Sequence, residues 1–152
     1  RKESSAASDV YKRQAVGSPE LRFSEPLPSE SHQIPAYFAK TYETTELPDA
    51  ALVINSVADL MRQRQLSSTE EATVLEYFAH EAGLKVVGAV TDRLGRDAIA
   101  FSAAHEDDPS YEEYLLVAPD SGQILAVETH YIAQGRDDIP SPSVTGYFAW
   151  RR

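Results

Sequence analysis

The 152-residue sequence contains no cysteine, one methionine and one tryptophan. Without thiols it can build neither a disulfide framework nor a thiolate zinc site, and it has no cysteine nucleophile. Cations are scarce as well: 14 Lys and Arg stand against 24 Asp and Glu, a formal charge of −10. Phosphate backbones need a basic face, so no nucleic-acid partner is expected. No apolar run approaches the roughly 18 residues of a membrane span. What is present is a hydrophobic content of 42%, enough for a core, in a length typical of one domain.

Three stretches differ in character. Residues 1–14, RKESSAASDVYKRQ, follow neither a helical nor a strand period. They resemble a translated sequencing adapter and are expected to be non-native, so fold reasoning begins after them. Residues 15–45 are expected to form a Pro-, Ser- and Glu-rich linker or strap. Pro19, Pro26, Pro28 and Pro35 remove backbone donors and restrict their predecessors, which predicts sparse regular structure. Ile34, Tyr37, Phe38 and Tyr42 give its C-terminal end the means to pack across a domain surface. Residues 46–152 are expected to form an α+β domain, with independent folding from about residue 33 onward.

Within that domain the apolar period changes once. Val53, Val57, Leu60 and Met61 lie on one helical face, after Pro48 in a first-turn position and Asp49 at the positive end of the dipole. A second helix opens with a capping box, either Ser68 with Glu71 or Ser67 with Glu70. Its stripe runs through Val74, Leu75, Phe78, Ala79 and Ala82, and Gly83 is its expected C-cap. Beyond Gly83 the period is two. Strands are expected around Val86–Val90, Ile99–Ala103, Tyr111–Val117, Ile124–Ile132 and Val144–Trp150, with turns at Asp92–Arg96 and Pro119–Gly122. Along the fourth strand, Leu125, Val127, Thr129 and Tyr131 should share one side. The expected fold is therefore α+β: a two-helix hairpin followed by an antiparallel meander sheet of about five strands.

Candidate chemistry is thin. His32, His80, His105 and His130 are scattered, and none sits in an H-E-x-x-H arrangement. Glu128 and His130 project from one strand face and could begin a hydrolytic site, but an exposed polar face is the simpler expectation. Glu106, Asp107, Asp108, Glu112 and Glu113 place five carboxylates in eight residues. Their spacing does not match a calcium loop, and an acidic hairpin loop is the simpler expectation. No G-x-S-x-G elbow or Gly-rich phosphate loop occurs. No catalytic residue, metal site or cofactor is expected. A sheet curled against helices can hold an apolar ligand, and Val87, Phe101, Leu125 and Phe148 are the residues expected to line such a cavity.

Leu47-Pro48-Asp49, Ala79–Leu84, Val86–Arg96 and Leu115–Leu125 carry a likeness that covers residues 46–132. This stretch resembles a family of uncharacterised actinobacterial membrane-anchored proteins. The resemblance implies a short cytoplasmic segment, one membrane-spanning helix and an extracytoplasmic α+β domain, encoded beside sigma factors of the extracytoplasmic-function group. The family carries Asp-Pro-x-Thr-Gly at its second turn. Here the turn is Ala118-Pro119-Asp120-Ser121-Gly122, without the acidic side chain before the proline. The expectation is a non-enzymatic extracytoplasmic domain, sensing or regulatory, linked to a sigma-factor system and held at the membrane by an anchor upstream of this sequence. The alternative is a binding or carrier module for a lipid or other apolar ligand between sheet and helices.

Overall fold

The computed structural model describes residues 21–152; residues 1–14, expected to be non-native, lie outside them. A 3-10 turn at Ser31–Gln33 leads into three helices, α1 (Ile34–Thr41), α2 (Ala50–Gln63) and α3 (Ser68–Ala79). Five strands follow: β1 (Lys85–Thr91), β2 (Asp97–Ala104), β3 (Tyr111–Val117), β4 (Ile124–Tyr131) and β5 (Ser143–Ala149). They form one antiparallel sheet in the order β1-β2-β3-β4-β5. The fold is α+β with a five-stranded meander, and among the described residues it has three helices where the sequence predicts two.

The additional helix comes from the segment expected to be irregular. Pro35 occupies the first turn of α1, where a missing N–H costs nothing and the fixed φ suits the helix. Ile34 and Phe38 are wholly buried, and Phe23 and Leu27 join them in the same core cluster as α2. Phe23 meets Phe38 and Tyr42 edge-on, with centroids 6.1 and 6.0 Å apart. Residues 21–45 thus contribute core side chains, packing as a strap. An independent fold starting near residue 33 would lack two of these core side chains.

Capping explains where the other helices begin and end. The Asp49 carboxylate accepts from the Leu52 amide at 2.8 Å, so α2 starts at Ala50 and Pro48 precedes it. Ser67 and Glu70 form the capping box of α3, each side chain accepting from the other's amide at 3.1 and 3.0 Å. Glu70 also pairs with Arg64 at 2.7 Å and accepts from the Leu27 amide at 3.1 Å, which ties the N-terminal strap to the helix. α3 ends at Ala79, short of the expected Gly83 cap. The amides of His80 and Glu81 bond to the Tyr77 and Phe78 carbonyls, tightening the last turn, and His80 Nδ1 donates to Glu76 O.

α2 lies across β2, β3 and β4, whereas α3 packs mainly against the 3-10 turn. The helical layer therefore leaves β1 largely uncovered. Leu115, Val117, Ile124 and Val127 face the helices in the main core, while Ala98, Ala100, Leu116, Leu125 and Ala126 form a second cluster on the other face. That face gains cover because the β1–β2 turn folds over it. Arg96 donates to the carbonyls of Leu125 and Trp150, and Arg93 pairs with Glu128 at 3.3 Å while lying over the Tyr147 ring. Asp92, 4% exposed, accepts from the amides of Leu94 and Arg96 and from the Arg96 guanidinium, which rigidifies the turn.

Candidate ligand site

Where α3 stops short of β1, a cavity of about 290 Å³ opens between helix and sheet. Leu75, Phe78 and Ala79 of α3 form one wall, and Phe101, Leu115 and Val117 of β2 and β3 form the other. Leu84, just before β1, and Val86 of β1 complete the lining. Ala79 and Val86 are exposed, so the opening lies on their side. The one charged residue in the lining is half-buried Glu81. Burial raises the Tyr77 hydroxyl well above the usual tyrosine range, and the adjacent Glu81 carboxylate raises it further. A concave, mostly apolar recess with one polar group is the usual form of a small-molecule site.

The four residues expected to line a cavity do not converge. Phe101 does line the recess. Val87 is 48% exposed on the largely uncovered β1, where a bulge makes it the extra residue between Val86, opposite Phe101, and Gly88, opposite Ala100. Leu125 is likewise a bulge residue: Val117 pairs with Ile124 and Leu116 with Ala126. Its side chain consequently belongs to the cluster on the far face, away from Val127. Phe148 sits opposite Val127 on edge strand β5, 41% exposed, with the Arg62 guanidinium 4.7 Å from its ring centre. Each bulge inverts the alternation that places side chains on faces.

The acidic cluster divides in two. Glu106, Asp107 and Asp108 are exposed in the β2–β3 loop, whereas Glu112 and Glu113 are buried on opposite faces of β3. Glu113, 2% exposed, accepts from Thr129 Oγ1 at 2.7 Å, His105 Nε2 at 2.8 Å and Asn55 Nδ2 at 3.0 Å. Glu112 accepts from Lys85 at 3.3 Å and from the Tyr114 hydroxyl at 3.2 Å. Burial and then the Glu112 charge raise the Tyr114 hydroxyl. These are structural anchors for two faces of the sheet rather than a solvated loop.

Glu128 and His130 do meet. Nε2 of His130 bonds to Glu128 Oε2 at 2.8 Å, and its ring stacks on Tyr114 with centroids 3.8 Å apart. The second Glu128 oxygen holds Arg93. Both carboxylate oxygens are therefore engaged by neighbouring side chains, in a network that fastens the β1–β2 turn to β4. A larger cleft of about 450 Å³ lies beside α2, with Glu46, Asp49, Asp59, Glu106 and Asp107 in its lining. Among the described residues no group of three or more His, Asp or Glu is placed to hold a metal ion.

Sequence reasoning missed Glu81 and Leu84. The short stretch between Ala79 and Lys85 has no period to read, and only the early end of α3 turns it toward the sheet. Leu115 and Val117, by contrast, alternate along β3 and could have been assigned to the helix-facing side. Comparison of the chain with protein-family models, curated proteins and solved structures finds no match.

Proposed function

We propose that this chain is a non-enzymatic extracytoplasmic domain of a membrane-anchored protein, and that it works by holding a small apolar ligand between α3 and the sheet. The recess lined by Leu75, Phe78, Phe101 and Leu115 carries this reading. Its walls come from rigid elements, and its lining offers an alkyl or aryl group more than a reacting polar substrate. The sensing or regulatory role, and its link to a sigma-factor system, rest on the resemblance of residues 46–132 and give the ligand a purpose: occupancy would report on the envelope.

Eight buried methylene-sized groups would gain roughly 6 kcal/mol before association costs, so binding should be weak and measurable at millimolar ligand. Calorimetric titration with 1-octanol should show one saturable site per chain. Ala79→Phe, which fills the opening with an aromatic ring, should abolish it while the far-ultraviolet dichroism stays unchanged. Absence of saturable octanol binding by the native chain would overturn the pocket reading. For the regulatory role, deleting the domain in its host should alter the neighbouring sigma regulon under envelope stress; unchanged transcription refutes that part.

A further inference from the structure

We infer that the recess selects against anionic amphiphiles and takes an apolar chain carrying a cationic head, such as an alkylammonium. This rests on the pocket reading above and adds the charge class of the ligand. Among the described residues the lining contains Glu81 and no basic residue. Glu81 also borders a neighbouring depression that it shares with Asp49 and Glu106, so two further carboxylates lie around it. Ala79, in the lining, is the last residue of α3, whose C-terminal end carries the negative pole of the helix dipole. The nearest lysine in sequence, Lys85, is the β1 residue opposite Ser102, one position from Val86, so its side chain leaves the sheet on the other face. There it is held by Glu112 at 3.3 Å.

Carboxylate and helix end act in the same direction. A cationic head placed beside Glu81 gains an ion pair at a half-solvated position, and an anionic head meets repulsion of similar size. A fatty acid or an anionic phospholipid is therefore disfavoured even though its chain fits the walls. The apolar part is held by dispersion and burial, and the head decides which amphiphile wins.

The test compares three ligands that share one chain: 1-octanol, octylammonium and octanoate, titrated calorimetrically into the intact chain at neutral pH and low salt. Octylammonium should bind about ten-fold tighter than octanoate, and the ratio should shrink toward one at high ionic strength. Glu81→Gln should cut the ratio several-fold. Asp138→Asn removes one negative charge from the β4–β5 loop, at the opposite edge of the sheet from β1, and should leave the ratio as it was. Octanoate binding as tightly as octylammonium, or an unchanged ratio in Glu81→Gln, overturns the charge assignment while leaving the pocket intact. Failure of all three ligands, octanol included, overturns the pocket reading and this inference with it.

Discussion

Thr129→Val isolates one hydrogen bond to a buried carboxylate. Glu113 is 2% exposed and accepts from three side chains, of which Thr129 Oγ1 is the closest at 2.7 Å. Valine matches threonine in volume and suits a strand as well, so the lost hydroxyl is the principal change. Hydrogen bonds to charged groups contribute about 1.5–3 kcal/mol, and a buried acceptor left short of a donor adds its desolvation cost. We expect a loss of about 2 kcal/mol, read from urea unfolding followed by circular dichroism. At this chain length that corresponds to a melting temperature lower by about 4–8 °C. Thr129→Ser keeps the donor and should recover at least half the loss. In a Glu113→Gln background, where the acceptor is neutral, the same Thr129→Val change should cost markedly less, and the double-mutant cycle measures the difference. A Val variant within about 0.5 kcal/mol of the parent would refute the assignment of Glu113 as a dependent, buried anchor.

Three further outcomes are expected. Arg64, then the amides of Ser67 and Leu27, hold the Glu70 carboxyl at about 2 against an ordinary value of 4.5; its contribution is therefore complete above about pH 4.5 and is lost as pH falls toward 2. Glu70→Gln should flatten that part of the dependence of the urea midpoint on pH, and an unaltered acid slope would show the pair to be unimportant. Phe23→Ala should cost about 3–4 kcal/mol through cavity formation in the core, and a 33–152 chain should melt at clearly lower temperature than a 21–152 chain; equal melting temperatures would refute the placement of Phe23 and Leu27. Gly122 adopts φ +71°, and a Cβ there would meet Leu75 Cδ1 at 3.4 Å, so Gly122→Ala should destabilise by about 1 kcal/mol in chemical denaturation; a neutral result would argue against that turn geometry.

Much of the fold was legible because local rules dominate where elements are regular. The apolar stripe of α2, the Ser67–Glu70 capping box and all five strands follow from spacing, and the turns at Asp92–Arg96 and Pro119–Gly122 follow from their residue types. α1 was not legible, because the proline density of residues 15–45 reads as a barrier although Pro35 is compatible with a first turn. Of the four residues expected to line a cavity, only Phe101 lines the recess. Val87 and Leu125 were misplaced for one reason: each is a bulge residue, and a bulge is set by strand pairing rather than by the strand's own sequence.

What the sequence by itself determined is therefore the inventory: an acidic, thiol-free chain with the helices α2 and α3, five short strands and the turns that join them. Periodicity and capping are properties of neighbouring residues, and neighbouring residues suffice to read them. Only the tertiary structure decided where α3 stops relative to β1, which parity each strand keeps after its bulge, and which carboxylates become buried. Those outcomes depend on contacts between residues far apart in the chain, such as Leu27 with Glu70, Arg93 with Glu128 and Asn55 with Glu113. The recess exists because a helix that packs on the N-terminal strap cannot also cover the first strand.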